Sequence, residues 1–197
     1  TLAGDSTIID RIGSFEFEIS ANSFFQTNTP GAANLYDTVK RYADLSGSET
    51  VVDLYSGTAT IPILLCGAAS EVISLEMAPS AIADAENNCR HNQVDNCRFI
   101  PGDIRKTLPL ISRRPDVLVI DPPRAGMHPD VAKQVLALLP ERIVYVSCNP
   151  TTLARDLILL KEAYRVEEVQ PVDLFPHTYH IESVARLAKS SESAGKL

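Results

Sequence analysis

From about residue 50 onward, short β-rich runs alternate with helix-patterned segments, and this alternation limits the fold more than any other feature of the chain. Strands joined through helices run parallel, because each crossover returns the chain to the edge it left. The predicted strands are Thr50 to Leu54, Glu71 to Leu75, Cys97 to Ile100, Val117 to Ile120, Arg142 to Ser147, Arg165 to Val172 and Ser183 to Ala188. Around them, apolar residues recur every three or four positions: Leu35, Val39 and Tyr42; Ile82, Ala85 and Cys89; Val131, Val135 and Leu138; Leu153, Leu157 and Leu160. These stripes face a core. Pro30, Pro129 and Pro150 mark first helical positions, after Thr29, His128 and Asn149. The fold class is α/β, with a Rossmann-like, seven-stranded, mostly parallel sheet. The first 20 residues alternate apolar and polar around Phe15 to Ile19 and read as a small β-element.

A chain of 197 residues, 45% hydrophobic and 22% charged, supplies one full core and not two. Its net charge of −7 excludes nucleic-acid binding by bulk attraction, so any grip on RNA is local. Cys66, Cys89, Cys97 and Cys148 show no CxxC pairing, so free thiols are expected, with no metal site. No run of about 18 apolar residues and no leader pattern occurs, which places the chain in the cytoplasm, away from membranes. Thr1 stands where an initiator methionine would, as expected of a fragment lacking further binding domains.

Strand ends at one edge of such a sheet form its ligand site. The first core strand runs into Asp53-Leu54-Tyr55-Ser56-Gly57-Thr58-Ala59-Thr60, a turn of small residues that lets backbone approach a ligand. It keeps only Gly57 where a dinucleotide fingerprint has three glycines, which disfavours a nicotinamide cofactor. Glu76 ends the next strand, suited to accept hydrogen bonds from both hydroxyls of a ribose, and Asp103 follows the third, suited to an adenine amino group. The plain alternative for each acid is to cap the following helix.

The fourth strand ends in Asp121-Pro122-Pro123-Arg124, a stiff turn able to wall a base-sized slot. Arg124 stands where amino-methylating enzymes have an aromatic residue, which argues against an exocyclic amine target. Cys148 ends the fifth strand, just before a proline-started helix whose N-terminus is expected to lower the thiol pKa. Alone, such a cysteine is more often inert core. Glu182, just before the last strand, suits a general base if burial raises its pKa. His177 and His180 rank behind it, as structural hydrogen bonders.

Ser23-Phe24-Phe25-Gln26-Thr27-Asn28, Asp53 to Thr60, Asp121-Pro122-Pro123-Arg124, Ser147-Cys148-Asn149-Pro150 and Phe175-Pro176 with His180-Ile181-Glu182 together resemble the RNA 5-methyluridine (uracil-C5) methyltransferase family over about residues 15–189. The resemblance implies a class I S-adenosylmethionine-dependent methyltransferase fold. It implies S-adenosylmethionine as cofactor, held by Gln26, Tyr55, Thr60, Glu76, Asp103 and Asp121. Gln26, Asp121 and Arg124 would bind the target base, with Cys148 as nucleophile and Glu182 as base. It also implies an RNA partner, 23S rRNA ahead of tRNA, with the uridine single-stranded or flipped out, and an RNA-binding N-terminal domain absent from this chain. On that basis residues 1–28 are a β-element and binding segment, 29–189 the catalytic domain, and 190–197 a tail expected to be disordered. Ser56 and Ala59 replace the family's cysteine and second glycine, which leaves a non-catalytic RNA-binding module as one alternative. Methylation of an RNA amino group or of cytosine C5 is another.

Overall fold

A computed structural model describes residues 4, 6–21 and 23–190. In chain order its elements are β1 (Thr7–Ile12), β2 (Phe15–Ser20), α1 (Thr29–Ala43), β3 (Thr50–Leu54), α2 (Thr60–Cys66), β4 (Glu71–Glu76), α3 (Pro79–His91), β5 (Cys97–Pro101), α4 (Ile104–Thr107), β6 (Val117–Ile120), α5 (Pro129–Leu138), β7 (Arg142–Ser147), α6 (Pro150–Leu160), β8 (Tyr164–Val172) and β9 (Glu182–Lys189). No helix among the described residues is long and apolar enough to cross a membrane. Most of the tail expected to be disordered, residues 191–197, lies outside the described residues.

The seven later strands form one sheet in the order β5-β4-β3-β6-β7-β9-β8, and β9 alone runs antiparallel to its neighbours. Side-chain alternation divides the core between the two faces. Val51, Val72, Val117 and Val144 point toward Leu35, Val39 and Ile63, whereas Val52, Ile73, Leu118 and Ile143 point toward Val131, Val135 and Leu153. The chain moves outward from β3 through β4 to β5, then crosses back to β6 on the other side of β3. That reversal opens a crevice beyond the carboxyl ends of β3 and β6, the position at which open α/β sheets bind ligands.

All seven predicted sheet strands form, with β9 beginning at Glu182, so that Glu182 opens the strand instead of preceding it. α1 starts one residue earlier than expected, and Asn28, not Thr29, is its cap. Asn28 Oδ1 accepts from Gly31 N–H at 3.1 Å while its amide donates to the Leu174 carbonyl at 2.7 Å, and Thr29 donates instead to Asp10. The tie to the loop after β8 decides between two good capping residues.

β1 and β2 pair as a separate hairpin, Thr7 opposite Ser20 and Ile12 opposite Phe15. Fully buried Asn88 of α3 binds this hairpin to the turn after β3: it accepts from Glu18 N–H at 2.7 Å and donates to the Glu18 and Thr58 carbonyls, both at 3.2 Å. Asp84 accepts from the Ser20 and Ser23 hydroxyls. These bonds hold the segment carrying Gln26 against the strand ends.

Candidate active site

A cavity of about 750 Å³ opens at the switch point, and Gln26, Tyr55, Glu76, Asp121, Arg124, Cys148 and Glu182 all line it. Thr60 lines a smaller recess of about 50 Å³, which shares Gln26, Tyr55 and Asp121 with the larger space. Asp103 stands apart, outside the lining of either. Its carboxylate caps α4 by accepting from Arg105 N–H at 3.0 Å and grips the Arg105 guanidinium, which holds its pKa down at about 2.

Glu76 joins two turns. Its Oε2 accepts from Gly57 N–H at 2.9 Å, and Oε1 accepts from Met77 and Ala78 N–H, both at 2.8 Å. The turn it braces is strained: Tyr55 and Ala59 have φ of 68° and 66°, left-handed values unfavourable for residues with a Cβ. This explains why a glycine suits the position of Ala59. Here the methyl group is fully buried in the core instead.

Beneath the turn lies a carboxyl group without a partner. Asp53 is 1% exposed, and neither of its oxygens nor the Ser56 hydroxyl has a hydrogen bond. Burial first, then Asp121 and Glu76, push its pKa well up. Tyr36 of α1, 6% exposed, lines the same recess, and burial with the nearby Asp121 raises its phenol. Sequence reasoning passed over Tyr36; its signal is a second phenol beside Leu35, three residues before Val39 on the buried face of α1.

The acid pair is set by burial too. Asp121 is pushed up to about 7 by desolvation and then by Glu182. Glu182, 4% exposed, is raised by desolvation while Arg124 opposes it. Cys148 is half-buried at the end of β7. Its thiol is raised, not lowered as expected: desolvation leads, Glu182 and Asp121 add to it, and Arg124 acts against them. Asn149 caps α6 and takes the Thr151 N–H at 3.0 Å, and burial decides the direction of the thiol's shift.

Arg124 reaches His180 Nδ1 at 2.9 Å, and its charge acts on Glu182 and Cys148 at the cavity wall. Its turn is pinned by Asp156, which accepts from Met127 N–H at 2.7 Å. The backbone comes so close there that a Cβ at Gly126 would meet Asp156 Oδ2 at 2.5 Å. One wall thus carries a thiol, a guanidinium and two carboxyls whose pKa values burial has raised, an arrangement able to add a nucleophile to an electron-poor ring and then move a proton.

The family model described as tRNA (uracil-5-)-methyltransferase matches residues 6–102 and 105–190. An uncharacterized RNA methyltransferase of Bacteroides thetaiotaomicron is 46% identical over 188 residues, 93% of this chain and 41% of that protein. Another, from Halalkalibacterium halodurans, is 47% identical over 190 residues, 94% of this chain and 42% of that protein. The chain therefore spans about two fifths of the length of these curated relatives. Among solved structures, the tRNA (uracil-54, C5)-methyltransferase of Pyrococcus abyssi, in complex with S-adenosyl-L-homocysteine, superposes with a TM-score of 0.84 at 38% identity, over 94% of this chain and 45% of that one.

Proposed function

The chain belongs to the tRNA (uracil-5-)-methyltransferase family, with its class I S-adenosylmethionine-dependent methyltransferase fold, and from that premise we propose that it methylates C5 of a uridine in RNA through a covalent bond from Cys148 to uracil C6. The observation that carries this reading is the meeting of Cys148, Arg124, Asp121 and Glu182 in one cavity with Glu76 and Tyr55.

The residues present fit S-adenosylmethionine. The cavity has the size of a small-molecule site. Glu76 Oε1 is filled by Met77 and Ala78 N–H while Oε2 keeps a lone pair for a ribose hydroxyl, and the orphaned Asp53 carboxyl offers an acceptor near a cationic ligand. Gln26, Tyr55, Thr60, Glu76 and Asp121 would hold the cofactor, and Asp103 would join them by turning from Arg105. The bound cofactor supplies an electrophilic methyl group.

Uracil C5 is too weak a nucleophile to take that methyl unaided. The Cys148 thiolate adds to C6, making C5 an enolate carbon, and Arg124 and Gln26 orient the base and its developing charge. Glu182, whose raised pKa suits a base, removes the C5 proton after methyl transfer. Loss of the thiolate then restores the ring. A stacked uridine cannot enter, so the target is unpaired or extruded, and an RNA substrate goes with a cytoplasmic location.

The expectation of 23S rRNA and the tRNA named for the family model and for the Pyrococcus abyssi enzyme are separated by assaying both RNAs with S-adenosylmethionine and mapping methylated nucleosides by mass spectrometry. The proposal expects 5-methyluridine from the wild type and none from Cys148→Ala. Methylated cytidine or a methylated amino group, or an active Cys148→Ala, overturns it.

A further inference from the structure

Tyr179 is 85% exposed, although tyrosine ordinarily buries most of its ring. It sits in the loop between β8 and β9, its ring centroid 4.2 Å from that of His180 at an interplanar angle of 37°. His180 in turn meets the edge of Phe175 at 6.5 Å and bonds Arg124. Thr178 braces the loop by donating to the Phe175 carbonyl at 2.7 Å and accepting from His180 N–H at 3.1 Å. Phe175, Thr178, His180 and Arg124 line the cavity, and Tyr179 does not. Its ring therefore stands just beyond the rim, at the end of a braced aromatic series that begins inside. Phe24, 74% exposed, brings a second aromatic surface to the same cavity from the segment before α1. Beside Arg124, Arg155 donates to the Ala125 carbonyl at 2.8 Å and remains half-exposed.

A uridine drawn into the cavity leaves the nucleotides on either side without a stacking partner. An aromatic face outside the rim replaces that partner, and stacking needs no surplus of positive charge, which suits a chain of net charge −7. We propose that Tyr179 is a stacking site for a nucleobase adjoining the target uridine. The inference rests on the RNA-uridine reading above and adds a positioning residue, one that touches no reacting atom.

The chain contains no tryptophan, so Tyr179→Trp introduces a single fluorescent reporter at the site. Substrate RNA should quench it, and the same RNA made abasic at the flanking nucleotide should not. Tyr179→Ala should raise KM for RNA about 5- to 150-fold, the value of one base–aromatic stack, with kcat and S-adenosylmethionine affinity unchanged. Tyr179→Phe should retain the wild-type KM. An unchanged KM in Tyr179→Ala, or fluorescence indifferent to RNA, overturns the stacking role. Trapping of wild-type protein by RNA containing 5-fluorouridine, run in parallel, separates the two levels. Trapping with an unchanged Tyr179→Ala KM defeats stacking alone, and no trapping defeats the uridine reading and this inference with it.

Discussion

Asp156 touches no reacting group, yet it fastens the turn bearing Arg124 to the helix that follows Cys148. It is fully buried and takes four donors: Met127 N–H at 2.7 Å and the Tyr145 hydroxyl at 2.6 Å on Oδ2, and the Arg155 guanidinium at 2.9 and 2.7 Å on Oδ1. In Asp156→Ala, half-exposed Arg155 turns to water, but the Tyr145 hydroxyl and Met127 N–H, in residues 0% and 2% exposed, are stranded. Each unpaired buried donor costs about 1–3 kcal/mol, so the variant should lose roughly 4 kcal/mol. For a chain of this size that is a fall in Tm of about 8–16 °C. Urea denaturation and thermal unfolding measure both. Adding Tyr145→Phe removes one stranded donor and should return about 1–3 kcal/mol, making the pair strongly non-additive. A loss below about 1 kcal/mol for Asp156→Ala, or simple additivity, would refute the reasoning.

Asp121 titrates near 3.8 when unfolded and near 7 in the fold, so between those values the folded protein binds more protons, and stability should fall as pH rises from about 4 to 7. Asp121→Asn should flatten that slope in denaturation curves taken across the window. Glu182→Gln removes the base and the strongest carboxylate raising the Cys148 thiol. It should form the RNA adduct at lower pH than the wild type and accumulate it on ordinary RNA, visible by gel shift under denaturing conditions. Ala59→Gly relieves left-handed strain of roughly 1–2 kcal/mol but loses a buried methyl worth about 0.8 kcal/mol, so its stability should stay within about 1 kcal/mol of wild type by urea denaturation.

The sheet was legible because its central strands, β3 and β6, are buried on both faces and leave continuous apolar runs rich in β-branched residues, Val51-Val52 and Val117 to Ile120. Strand ends then located the acids and Cys148, since parallel strands deliver their last residues to one edge. Side-chain partnerships were not legible. Nothing in the sequence says that Asn28 outcompetes Thr29 as a cap through a bond to Leu174, or that burial, with two carboxyls adding to it, raises the Cys148 thiol. Each depends on residues brought together from distant or alternative positions, which periodicity does not encode.

The account stands on Cys148 acting as a nucleophile toward uracil, and intact-mass analysis of protein incubated with S-adenosylmethionine and RNA containing 5-fluorouridine tests this most directly. Fluorine at C5 leaves Glu182 no proton to remove, so the methylated adduct cannot break down. The predicted result is a stable protein–RNA species whose mass includes one added methyl group, mapped by digestion to Cys148 and absent from Cys148→Ala. Normal methylation of uridine with no adduct, or an adduct that persists in Cys148→Ala, would contradict the account.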